Sequence, residues 1–149
     1  MRKLQLLLVA IVCAAVLQAQ PQSTESQQAV QQAVIKMFDA LSIRDSAGIK
    51  IYCADDIALY EYGQVWNIDT LIKRAVTLNA SSDFKRTNKL DFISTIVNKN
   101  TAWTTYYLNS EIMKDAKQTS IQWLETVVLV KEKKKWKLKV LHSSLIKRS

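Results

Sequence analysis

Glu125-Thr126-Val127-Val128-Leu129-Val130-Lys131, four residues that turn the chain, and then Trp136-Lys137-Leu138-Lys139-Val140-Leu141-His142-Ser143-Ser144 decide the fold. The first segment is dense in β-branched side chains and the second alternates apolar residues with lysine, with Lys133-Lys134 at the turn, so they read as a hairpin of two long strands, Ser120 to Lys131 and Lys135 to Ile146. Leu90 to Val97 and Thr101 to Ile112 form another pair around Asn98-Lys99-Asn100, and Lys114 to Lys117 leads into the next strand. Before Ser82 the period changes. Thr24-Glu25-Ser26-Gln27 is a capping box, after which Val30, Ala33, Val34, Met37, Phe38 and Leu41 share one helical face. That helix should end near Asp45. Ser46 caps a short second helix, and Asp69 a third whose buried stripe is Leu71, Ile72, Ala75 and Val76. Ile57 to Gly63 reads as a strand between them. Helices first and adjacent antiparallel strands afterwards predict an α+β domain, its helices packed on one face of a curved sheet.

The 149 residues suit a single domain, and 48% hydrophobic with 23% charged residues is globular composition. Gly48 and Gly63 are the only glycines, which excludes a glycine loop for phosphates. One histidine and two cysteines exclude a histidine-rich or four-cysteine metal site, so neither metal nor cofactor is expected. Arg2 and Lys3 precede an apolar run from Leu6 to Leu17, the pattern of a secretory signal peptide over residues 1–19, cut after Ala19. Residues 20–149 then form the exported domain, periplasmic or extracellular, with no stable membrane insertion. Removing Arg2 and Lys3 from the 21 basic residues leaves +6 against 13 acidic ones. Cys53 is then alone, in an apolar stretch that suits a buried thiol. The lysines from Lys131 to Lys139 occupy a hairpin tip and strand face and read as a solvated surface, not a nucleic-acid site.

The ending quoted above resembles the strand–hairpin–strand of small SnoaL-like domains, in which a tryptophan opens the last strand and a histidine follows six residues on, here Trp136 and His142. Ala102-Trp103 after its turn is similar too, as is Asp55-Asp56 ahead of a strand ending in Glu61-Tyr62-Gly63. The chain therefore resembles the nuclear transport factor 2-like superfamily, with its ketosteroid-isomerase-like members, over roughly Glu25 to Leu145. The hairpin departs from the pattern by carrying Lys133-Lys134 where a glycine is usual. The resemblance implies a cone: a strongly curved mixed or antiparallel sheet with N-terminal helices on its concave face, the cystatin-like arrangement. It also implies an interior ligand pocket and pairing into a homodimer through the outer sheet face.

Strict alternation along the last strand puts Trp136, Leu138, Val140, His142 and Ser144 on one face, so His142 should look into the cone with Ser144 beside it. An imidazole there suits a base, an acid or a structural hydrogen-bonding role. Asp55 and Asp56 are the candidate catalytic carboxylates, or else turn caps, and Glu125 is a second inward acid if its strand turns that face inward. Tyr60, Trp66, Trp103 and Trp123 supply candidate ligand-binding surface, with Trp66 at a pocket mouth. Three functions fit. The first is an exported domain that binds a small apolar or amphipathic molecule. The second is an isomerase, dehydratase or cyclase using a carboxylate–histidine pair. The third is a dimeric interaction module with a filled cone.

Overall fold

The computed structural model describes residues 24–149; the expected signal peptide lies outside them. The chain runs α1 (Glu25–Ser42), α2 (Ser46–Tyr52), β1 (Cys53–Glu61), β2 (Gln64–Trp66), α3 (Ile68–Ala75), a 3-10 turn (Thr77–Asn79), β3 (Lys85–Asn98), β4 (Thr101–Lys114), β5 (Lys117–Glu132) and β6 (Lys135–Arg148). α1 begins at the expected capping box: Gln27 N–H donates to the Thr24 hydroxyl, and Thr24 N–H donates to Gln27 Oε1. Its stripe is buried from Val30 to Leu41. The next two caps sit slightly upstream of expectation. The Asp45 carboxylate, not Ser46, caps α2, and the Asn67 side chain, not Asp69, caps α3. Cys53 is buried among core residues, and that burial pushes its thiol up to about 12.

The strands form one six-stranded sheet in the order β2-β1-β6-β5-β4-β3. β1 and β6 are parallel and every other neighbouring pair is antiparallel, so this curved, unclosed sheet is mixed. Two-residue turns join the long strands. Lys133 and Lys134 both take positive φ (47° and 69°), as do Asp115 and Ala116, the backbone shape that matches the twist of a tight hairpin. Lysine thus holds the left-handed turn where glycine is usual.

β4 and β5 alternate cleanly. Ala102, Thr104, Tyr106, Leu108 and Ser110 face inward from β4, and Ile121, Trp123, Glu125, Val127 and Leu129 from β5. α1 lies across this concave face, tied to β3 by Gln27 Nε2 donating to the Thr95 carbonyl (2.7 Å) and Asn88 Nδ2 donating to Ser42 Oγ (2.7 Å). Each fully buried Leu, Val or Phe at this seam is worth about 1.5–3 kcal/mol of transfer free energy, so the seam holds the cone together.

β6 does not keep a single alternation. Val128 pairs with Val140 but the next residue, Leu129, pairs with Leu138, so Lys139 is an extra residue in the strand. A bulge of one residue exchanges the faces beyond it. Trp136 and Leu138 point inward before the bulge, and Leu141 and Ser143 after it. His142 and Ser144 are exposed. The inward histidine expected from strict alternation is therefore corrected: the imidazole lies on the outer face, its ring 6.4 Å from that of Tyr60.

Candidate functional site

Between α1, α3 and the inner sheet face lies a cavity of about 320 Å³. Met37, Phe38 and Leu41 roof it, Leu71 and Ala75 close the α3 side, and Leu108, Ile121, Trp123 and Leu141 line the sheet side. Glu61, Arg86 and Glu125 also line it, and the exposed Tyr62, Arg74 and Arg148 mark its mouth together with Trp66 and Asn79.

Three strands bring the polar floor together. β5 presents Glu125, 3% exposed, and the end of β1 presents Glu61. The bulge in β6 turns Ser143 in between them. Ser143 Oγ lies 2.7 Å from Glu61 Oε1 and 2.8 Å from Glu125 Oε1. A serine hydroxyl has one proton to donate. It can therefore serve one carboxylate, and the other contact becomes a hydrogen bond only when that carboxyl is protonated and donates to Ser143 Oγ. With both contacts made, the two acids share one negative charge.

The electrostatics agree with that count. Burial pushes Glu125 up to about 7; the Ser143 and Tyr106 hydroxyls and Arg86 pull it down, while the neighbouring charge of Glu61 raises it. Burial also raises Glu61, against the downward pull of the Ser143 hydroxyl, Arg86 and His142. Arg86 is fixed by donating from Nε to Asn88 Oδ1 (2.9 Å) and from Nη2 to Ser110 Oγ (3.1 Å), with its guanidinium 5.8 Å from the Trp123 ring centre. Its own pKa is lowered by burial, against the pull of Glu125, Tyr62 and Glu61.

The Tyr106 hydroxyl and Glu125 Oε2 are buried without a hydrogen-bond partner among the described residues. Burial first, and then the Glu125 charge, raises the Tyr106 phenol well above its ordinary value. The two groups are neighbours that act on each other: the Tyr106 hydroxyl lowers the carboxyl, and the carboxylate raises the phenol. Glu125 thus has one oxygen on Ser143 and the Tyr106 hydroxyl as a second polar neighbour, in a buried setting that favours its protonated form.

Of the residues singled out from sequence, Trp66, Trp123 and Glu125 line the cavity. Asp55 is exposed near the start of β1, and Asp56 is an exposed partner of Lys139, whose ammonium holds its carboxyl below the ordinary range. Tyr60, Trp103 and Ser144 are exposed outside the cavity. The expected carboxylate–histidine pair is not assembled: neither aspartate nor His142 reaches the cone interior. Sequence reading missed Glu61, Arg86 and Ser143 as site residues. Extending β3 back to Lys85 would have found Arg86, because Arg86, Asn88 and Leu90 alternate with the more exposed Thr87 and Lys89. Ser143 carried no such signal, since a bulge sets its direction. Among the described residues no cluster of His, Cys, Asp or Glu is placed to hold a metal ion.

Residues 30–147 match the model of the SnoaL-like domain family. No curated protein matches the chain. Solved structures share its fold. A nuclear transport factor 2-like superfamily protein from Salmonella enterica aligns with a TM-score of 0.71 at 15% identity, covering 81% of this chain and 91% of its own. A ketosteroid isomerase-like protein from Erwinia carotovora aligns at 0.67 and 16%, covering 84% and 99%. A protein assigned as a scytalone dehydratase, from Novosphingobium aromaticivorans, aligns at 0.69 and 11%, covering 83% and 86%.

Proposed function

The chain belongs to the SnoaL-like domain family, and from that premise we propose that its cone binds a small, largely apolar molecule with which the Glu125–Glu61 pair exchanges a proton. One observation carries this reading: a carboxyl raised to about 7, in contact with Ser143 beside a second acid, on the floor of a mostly apolar cavity. A base that titrates near the working pH is half ionised there and also competent to return its proton. On a carbonyl compound, the Glu125 carboxylate would take a proton from the carbon beside the carbonyl. The C–H electron pair would move into the enolate, whose oxygen would face the Arg86 guanidinium. The same carboxylic acid would then return the proton to a second carbon, completing an isomerisation, or deliver it to a departing hydroxyl, completing a dehydration. Ser143 would keep the second acid, Glu61, in hydrogen-bond contact throughout. The ketosteroid isomerase-like and scytalone dehydratase-like neighbours lend this chemistry a precedent on the same fold.

The domain is further proposed to be exported and to pair as a homodimer through its outer sheet face, where Ile93, Trp103 and Tyr107 are exposed.

The test uses 2-tetralone, an apolar ketone with acidic hydrogens beside its carbonyl. Trp66 and Trp123 line the cavity, so binding should quench tryptophan fluorescence. In D2O near pD 7 the protein should speed deuterium incorporation into the ketone, followed by NMR, and Glu125→Gln should abolish that acceleration while leaving the quench. Quenching without exchange would reduce the reading to a binding protein. Neither signal would overturn it.

A further inference from the structure

The cavity mouth carries two guanidinium groups that its floor does not need. Arg74 lies over the Trp66 ring (4.8 Å to the centre) and donates to Gln64 Oε1 at 3.3 Å. Arg148 lies over the Tyr62 ring (5.8 Å) and donates to the Tyr62 hydroxyl at 2.8 Å. The Tyr62 and Trp66 rings are themselves 6.3 Å apart, and both rings and both guanidiniums line the same cavity. The described ion pairs are Lys36–Asp39, Lys89–Asp91, Lys137–Glu132 and Lys139–Asp56, which leaves both arginines without a carboxylate among the described residues. Aromatic faces hold these cations in place without neutralising them.

The charges of the lining also have a direction. Arg74, Arg86 and Arg148 against Glu61 and Glu125 give a net +1, and +2 when the two acids share a proton. The acids are at the floor, where they repel an anionic group. Two of the three arginines are at the mouth, where they attract one. Between these ends the walls are apolar.

We propose that the cavity takes an amphipathic organic acid, its carboxylate held at the mouth by Arg74 and Arg148 and its apolar body directed inward toward Glu125 and Arg86. This deepens the binding reading above and rests on it. The planar fork of an arginine matches a carboxylate, and both arginines line the same cavity. A free amine would meet the same guanidiniums as repulsion, and a neutral amide would lack the charge they are placed to meet.

The probes are 2-naphthoate and its neutral isostere 2-naphthamide, titrated by tryptophan quenching at pH 7.5 against the wild-type protein, Arg74→Gln, Arg148→Gln and the double variant. Both arginines are exposed, so the variants keep the fold, and a thermal melt checks that they do. Wild type should bind naphthoate about tenfold more tightly than naphthamide, the discrimination a charge-assisted bidentate contact provides, with the ratio falling as salt rises. Each single variant should lower the ratio several-fold, and the double variant should bring it to about one through loss of naphthoate affinity. Equal wild-type affinities, or a ratio that survives in the double variant, overturn the carboxylate assignment while leaving small-molecule binding standing. If neither probe binds, the binding reading falls with it.

Discussion

Replacing Glu125 by Gln keeps the side chain's size and its contact with Ser143 but removes its ionisation. When folded, the carboxyl titrates at about 7, against 4.5 for the unperturbed group. At about 1.4 kcal/mol per unit, this difference amounts to about 3 kcal/mol of linkage between protonation and folding. The folded chain binds this proton more tightly than the unfolded chain does. The stability it contributes is therefore complete below about pH 4.5 and is lost as pH rises through about 7. Other carboxylates, such as Asp56 with its depressed pKa, have the opposite slope at lower pH, but they are common to both proteins and cancel in the difference.

Urea unfolding of wild type and Glu125→Gln at pH 5, 6, 7, 8 and 9 reads this difference directly. The variant should gain on wild type by about 3 kcal/mol across the series, or roughly ten degrees in midpoint temperature for a domain of this size. Glu61 is also raised by burial, but it is present in both proteins, so its own slope cancels in the difference along with the others. Parallel profiles for the two proteins would refute the argument: Glu125 would then ionise as freely folded as unfolded, and it could not serve as a base poised near neutrality.

Two further outcomes test the placement of particular residues. His142→Ala should leave the affinity for 2-naphthoate unchanged and stability within about 0.5 kcal/mol, because the ring is exposed on the outer face; loss of binding in a fluorescence titration would show that the β6 bulge is misassigned. Gly48→Ala should destabilise the domain by about 1–3 kcal/mol in urea unfolding, since the added methyl would lie 2.5 Å from Asp45 Oδ2 and 2.9 Å from Ala40 Cβ and would force apart the cap in which Gly48 N–H donates to Asp45; an unchanged midpoint would mean that the cap rearranges at no cost.

The elements that were legible in the sequence are those governed by local or periodic rules. The α1 stripe and its capping box depend on spacing alone, and both appear as read. The hairpins follow from apolar runs interrupted by polar pairs. The displaced caps of α2 and α3 show where local rules tie: Asp45 and Ser46 are both good caps, as are Asn67 and Asp69, and only the backbone path chooses between them. The strand read from sequence begins at Leu90, because the inward side of the first residues of β3, Lys85 to Lys89, is polar. Arg86 and Asn88 are accommodated there by a network with Ser110 and Ser42 that joins residues distant in sequence.

The site was legible only in the part that obeys alternation. β5 keeps its period through Trp123, Glu125 and Val127, so once its inner face is known, Glu125 is placed. β6 breaks its period at Lys139, where the strand must bend to follow the curved sheet and an extra residue accommodates the bend. That one residue removes His142 from the cone and brings in Ser143. It also changes the chemistry: a histidine inside would have paired a cation with one acid, whereas a serine leaves two acids to divide a proton between them. The curvature that makes the hollow thus also decides which side chain faces it, and a face assignment on a strongly bent strand holds only as far as the first bulge.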